Sequence, residues 1–240
     1  MTKKEREPRK PSIEPTPYVE PPLVREPGGP LKRAAIAVFR DRRLPYSVAI
    51  RLDKLLHGLG SKHRIMHAGG LRFKIRRQTS DERFVHNIVN KKDYNTTPAY
   101  EVDDTDTVID VGGQIGTFAL QAAQAAAKGR VFTFEPLPES FSLLEANIRL
   151  NQMTNIVAEQ AAVAGNTEPC KLYVTDFTGG NSMLPEYADD IKKFITVKSV
   201  TIPGIMEQHG IDRCNFLKMD CEGAEYDILV QPSYRVPSTH

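Results

Sequence analysis

The residues best placed to do chemistry begin with one run, Val108-Ile109-Asp110-Val111-Gly112-Gly113-Gln114-Ile115-Gly116. An apolar stretch ends in an acid, and glycines then turn the chain. A backbone that turns tightly and lets a ligand lie against it cannot carry Cβ atoms there. The spacing is acid-x-Gly-x-x-x-Gly, and Gly113 does not convert it into the Gly-x-Gly-x-x-Gly of a dinucleotide site. An acid directly before the turn would repel a pyrophosphate and suits a ligand with a cationic amino group. Glu135 follows 19 residues after Gly116, at the end of Phe132-Thr133-Phe134-Glu135-Pro136. A strand-end carboxylate about that far on is positioned to accept the two hydroxyls of a ribose. Its plainer role is that of an acid favoured at a helix N-terminus. An amino group and an adenosine ribose together point to S-adenosylmethionine. The candidate cofactor residues are Asp110, Gly112, Gly113, Gly116, Glu135 and Pro136.

A second cluster stands in Leu217-Lys218-Met219-Asp220-Cys221-Glu222-Gly223-Ala224-Glu225. Three carboxylates this close raise the pKa of one of them into the range of a usable base, or gather a divalent cation. Glu225 reads as an acid opening a helix. Asp220 and Glu222 are the catalytic candidates, as carboxylates able to take a proton, although Glu222, like Glu225, has the plainer role of an acid opening the next helix. No metal site is assigned. Cys170, Cys214 and Cys221 lack ligand spacing and read as reduced thiols, which suits a cytoplasmic protein. His209 and His240 read as solvated.

The elements that must position these residues alternate strand and helix from residue 105 onward, the pattern of a parallel sheet covered by helices. Strands are expected at Thr107–Val111, Arg130–Phe134, 156–158, 171–175, 196–202 and Phe216–Met219. Helices are expected at 118–127, at 138–151 and near Met206. Ahead of them, Leu71-Arg72-Phe73-Lys74-Ile75-Arg76 alternates apolar and basic residues as a half-buried strand does. Thr79 and Glu82 have capping-box spacing before a helix bearing Phe84, Val85, Ile88 and Val89.

With these residues in view, the sequence resembles the FkbM-type S-adenosylmethionine-dependent methyltransferases over about residues 71–230. The resemblance rests on the acid-x-Gly-x-x-x-Gly turn, the Glu135-Pro136 pair and the Lys218–Glu225 segment. It implies a Rossmann-like α/β fold of class I methyltransferase type, with Asp110, Gly112 and Gly116 around the methionine portion and Glu135 on the ribose. It further implies Asp220 and Glu222 facing the cleft, and O-methylation of a sugar, glycan or secondary-metabolite hydroxyl. A seven-stranded sheet of this type needs three strands after Phe216–Met219, and residues 231–240 do not supply them. The expectation is a domain over 71–240 that is C-terminally incomplete, with an open sheet edge covered either by another chain, as in a homo-oligomer, or by further elements of a longer natural protein.

Composition limits the partners. Residues 1–30 are rich in Pro and charge and read as a disordered tail. Residues 31–70 read as a basic helical segment, with two short helices over 31–59. Residues 31–77 carry 13 Lys/Arg against two acids, within a chain of net charge +2. That raises RNA methylation as an alternative substrate class, and a non-catalytic binding domain as an alternative to an enzyme. Only Phe39, Tyr46 and Phe73 fall among the bases, too sparse a set for a stacking platform, which argues against a nucleic-acid partner. No apolar run approaches the ~20 residues of a membrane span.

Overall fold

The computed structural model describes residues 62–90, 101–175 and 180–230, with Leu55 and Gly60 as isolated positions. The expected tail, the helices over 31–59, and residues 231–240 with His240 lie outside the described residues. Those described belong to one compact unit, 44–240.

A hairpin comes first, β1 (His63–Ala68) antiparallel to β2 (Leu71–Arg76). Gly69 and Gly70 join them with φ of 57° and 80°, the two left-handed positions that a tight hairpin turn demands. The strand β1 corrects the expected helical reading of 31–70 at its C-terminal end: the two glycines make the turn, and Met66 pairs across it with the buried Phe73. The short α1 (Asp81–Val85) follows and continues as a π-helical turn, His86–Asn90. The expected capping box is absent. Ser80 is the N-cap, Thr79 Oγ1 accepts from the Asp81 N–H at 3.3 Å, and Glu82 pairs instead with Arg64. Asp81 is buried and holds Arg76 through its side chain and its backbone N–H, at 2.9–3.0 Å. That buried pair fixes the exit from the hairpin.

The main sheet is parallel in the order β10-β3-β4-β5, with β3 Thr107–Val111, β4 Arg130–Phe134, β5 Ile156–Glu159 and β10 Phe216–Met219. Helices α2 (Thr117–Ala125) and α3 (Pro138–Leu150) connect the first three strands. Pro138 fits the first turn of α3, where its missing N–H costs nothing. Alternate residues of β3 and β4 face opposite layers. Ile109, Val111, Phe132 and Phe134 pack toward α4 (Ile202–His209) and α5 (Glu225–Leu229), while Val108 and Val131 pack toward α2.

Two small ladders flank this sheet, β6 (Ala162–Val163) with β9 (Ser199–Val200), and β7 (Cys170–Val174) with β8 (Lys193–Val197). The expected strand 196–202 is therefore two strands ending before α4. Thr201 takes Ile202 out of it by capping the helix, its Oγ1 accepting from the Gly204 N–H at 3.2 Å. His209, expected to be solvated, lies against Phe132 at 4.8 Å between ring centroids, with Nε2 2.8 Å from Glu159 Oε1.

The hairpin is tied to this layer by an unusual substitute for a strand. Asn147 and Asn151, one turn apart on α3 and at its C-cap, bond the outer edge of β2. Asn147 Oδ1 accepts from the Lys74 N–H at 2.6 Å, and its Nδ2 donates to Lys74 O at 3.2 Å. Asn151 repeats this on Arg72, at 2.8 and 2.7 Å. Positions 72 and 74 present the same edge of the strand, and their separation of about 6.6 Å nearly matches one helical turn plus side-chain reach.

Candidate functional site

A cavity opens at the carboxyl ends of β3, β4 and β10, where open parallel sheets receive ligands. The glycine turn leaves β3 directly beneath it. Gly112 has φ 79°, and a Cβ there would lie 2.1 Å from the Asp220 carbonyl oxygen. Gly113 is excluded from larger side chains by Thr133 Oγ1 at 2.2 Å and Leu144 Cδ1 at 2.8 Å from such a Cβ. Both glycines are thus required by the protein's own packing. Gly112→Ala is expected to destabilise the fold by about 3 kcal/mol or more, combining left-handed strain with a backbone clash. A thermal melt within a degree of wild type would contradict this.

Below the turn the register sets Lys218, Asp110 and Thr133 side by side across three strands. Asp110 is fully buried, accepts from Thr133 Oγ1 at 2.8 Å, and forms an ion pair with Lys218 Nζ at 3.1 Å. Lys218 also donates to the carbonyls of Val111 at 3.2 Å and Gly112 at 2.8 Å. A buried lysine thus neutralises the acid and holds the turn by its oxygens.

Glu135 stands across the turn, only 7% exposed. Its Oε2 accepts from the Gln114 N–H and its Oε1 from the Leu137 N–H, each at 2.8 Å. Burial pushes its pKa up to about 7, against the opposing pull of those two N–H groups and of Lys218. The carboxylate therefore secures the start of α3 and also faces the cavity.

The third side is the loop after β10. Glu222 has φ 52° and is held by Ser182 Oγ, which donates to its carbonyl at 2.6 Å. Burial raises the Glu222 pKa, and the charges of Asp220 and Glu225 raise it further. Glu225 clasps the loop instead, accepting from the N–H groups of Cys221 and Gly223 at 2.9 Å each. Burial pushes its pKa up, but those hydrogen bonds outweigh it and hold the group below the ordinary carboxylate range.

Of the expected residues, Gly112, Gly113, Glu135, Pro136, Asp220 and Glu222 line the cavity. Asp110 and Gly116 are not among its lining residues; Asp110 supports the turn from below through Lys218. Sequence reasoning gave no role to Lys218, Gln114 or Thr117, all of which line the cavity. A lysine inside the otherwise apolar strand Phe216–Met219 was the one available sign. Among the described residues no group of His, Cys, Asp and Glu is arranged to hold a metal ion.

The chain is similar to "Methyltransferase 1" of Beauveria bassiana, with 29% identity over 61% of this chain and 65% of that protein. It is 22% identical to "Methyltransferase sdnD" of Sordaria araneosa, over 51% of this chain and 58% of that one. It is also 26% identical to "Hexuronic acid methyltransferase AglP" of Haloferax volcanii, over 54% and 51% of the two chains. The chain thus spans between about half and two-thirds of these relatives' length. The family model described as the methyltransferase FkbM domain matches residues 110–238, from the acid before the glycine turn to beyond the acidic loop, and the chain belongs to that family.

Proposed function

We propose that this chain binds S-adenosylmethionine and methylates a hydroxyl of a sugar, glycan or secondary metabolite. The observation that carries this is the convergence of the glycine turn, Glu135 and the Asp220–Glu222 loop on one cavity at the strand ends. The residues present fit the cofactor. Glu135 offers a buried carboxylate to ribose hydroxyls, and among the described residues Gln114 Nε2 and Thr117 Oγ1 are buried polar atoms without a hydrogen-bond partner. When bound, the cofactor would supply an electrophilic methyl group. The chain then has to hold the acceptor and take its proton. Asp220 orients the hydroxyl, and Glu222 receives the proton, its raised pKa bringing it closer to that of the group it deprotonates. A sugar acceptor is favoured by the relative named for hexuronic acid methylation.

Glu222→Gln is expected to lower kcat by about 10²–10⁴-fold, the usual contribution of a general base. In wild type, kcat/KM should rise with pH as Glu222 ionises, above the range of an ordinary carboxylate, and the variant should lose that limb. The test follows S-adenosylhomocysteine release over a panel of hydroxylated acceptors that includes uronic acids. Turnover in the variant equal to wild type would remove Glu222 from the mechanism, and transfer to RNA alone would replace the acceptor class.

A further inference from the structure

The loop that carries Glu222 turns through two successive left-handed positions, Glu222 at φ 52° and Gly223 at φ 96°. Glycine adopts that conformation freely. Glutamate is strained in it, and a strained residue keeps its place only where its surroundings over-determine it. Part of the constraint comes from the loop itself, where Glu225 accepts from the Cys221 and Gly223 N–H groups. The rest comes from a segment that begins 40 residues earlier, at Ser182, and ends in the 3₁₀ turn Pro185–Tyr187.

Ser182 is only 1% exposed, and both capacities of its hydroxyl are used. It accepts from the Leu184 N–H at 3.0 Å and donates its one proton to the Glu222 carbonyl at 2.6 Å. Its backbone is anchored in turn to β7, exchanging hydrogen bonds with Tyr173 at 2.8 and 3.2 Å. Tyr187 holds the next residue of the loop. A Cβ on Gly223 would lie 2.5, 2.7 and 2.8 Å from Cδ2, Cγ and Cε2 of Tyr187. Three adjoining ring atoms at nearly equal distance mean that the ring lies face-on against the glycine. Neither Ser182 nor Tyr187 lines the cavity, whereas Asn181, Met183 and Glu222 do. Any part these two residues play in the chemistry is therefore played through the loop. We propose that Ser182 and Tyr187 are positioning residues: they clasp the strained Glu222–Gly223 turn so that the Glu222 carboxylate meets the acceptor hydroxyl. This rests on the methyl-transfer reading above, in which Glu222 takes the acceptor's proton. Misplacing a reacting group by about 1 Å costs on the order of 10²-fold in rate. A turn strained at Glu222 has an unstrained conformation to relax into once the clasp is opened.

The test uses the full chain and whichever hydroxylated acceptor of the panel above turns over fastest. Ser182→Ala and Tyr187→Ala should each lower kcat about 10–100-fold, with S-adenosylhomocysteine affinity held within about twofold. Tyr187→Phe keeps the ring and should restore the rate. The decisive comparison places each alanine exchange in a Glu222→Gln background. There each should cost less than about twofold, because the group it positions is already gone, whereas a general structural defect lowers the rate by the same factor in both backgrounds. If Ser182→Ala does not fold, Tyr187→Ala carries the comparison, since Tyr187 is 57% exposed and lies outside the core. Wild-type kcat in the alanine variants, or equal losses in the two backgrounds, overturns the clasp while leaving Glu222 as the base. Glu222→Gln turning over like wild type overturns the base assignment and this inference with it. A wild-type protein that methylates no acceptor of the panel overturns the methyl-transfer reading on which both depend.

Discussion

Glu135→Ala is expected to weaken S-adenosylhomocysteine binding at least tenfold, about 1.5–3 kcal/mol for lost charge-assisted hydrogen bonds to the ribose. Glu135→Gln should be nearly as damaging. Both carboxylate oxygens accept from backbone N–H groups, Gln114 on one side and Leu137 on the other. A glutamine would point its own NH₂ at one of them, setting donor against donor. The wild-type carboxyl also titrates at about 7 because it is buried. Ribose hydroxyls donate to its ionised form, so ligand affinity should rise as pH increases through 7, and binding near that pH should release a proton. The sign for stability is opposite. A carboxyl whose folded pKa lies above 4.5 contributes stability that is complete below that value and is lost as pH rises through about 7. Calorimetry in buffers of different ionisation enthalpy reads the proton directly. A pH-independent affinity with no proton exchange would remove Glu135 from the ribose site.

Asn147→Ala is expected to be strongly destabilising for a polar exchange on α3. Asn147 is fully buried, and its amide serves Lys74 N–H, Lys74 O and Ile115 O. Alanine leaves all three without a partner in a place water reaches poorly, at about 1–3 kcal/mol for each that stays unmet. A total of about 3 kcal/mol or more lowers Tm by roughly 6–12 °C in a chain of this size. The effect should extend to the ligand, because Ile115 O belongs to the glycine turn. Asn151→Ala removes the matching pair of bonds at a more exposed position, where water substitutes, and should cost about 1 kcal/mol. Negligible losses from both exchanges would show that the amides do not act as the edge partner of β2.

Where the sequence was legible, one rule sufficed. β3, β4 and β10 are continuous or nearly continuous apolar runs closed by glycine or acid, and the start of α3 is marked by Pro138. The cavity-lining glycines, Glu135, Asp220 and Glu222 follow from where such runs end. β1 was obscured because His63-Arg64-Ile65-Met66-His67-Ala68 sits among basic residues, although the Gly69-Gly70 pair marks a hairpin. The support of the turn could not be read locally. Lys218 reaches Gly112 from 106 residues away, and Asn147 reaches Lys74 from 73, so neither contact leaves a periodicity in its own neighbourhood. Thr117 and Gln114 carried no signal either, since what marks them is that Thr117 Oγ1 and Gln114 Nε2 are buried with no hydrogen-bond partner among the described residues.

The ion pair beneath the turn also dictates an order of assembly. Asp110 emerges from the ribosome long before Lys218, whose ammonium bonds the Val111 carbonyl across 107 residues of intervening chain. Until β10 docks, the first strand presents a carboxylate to the future interior with no cation to meet it. An isolated buried charge is expensive enough that β3 and β4 cannot close over it. The growing chain must therefore keep this corner wet while the intervening elements form. The ligand pocket is consequently completed last, by the arrival of one lysine, and long-range closure of this kind is slow and leaves apolar surface uncovered in the meantime. A nascent chain released before Lys218 would carry the whole glycine turn and still have no means of holding it in shape.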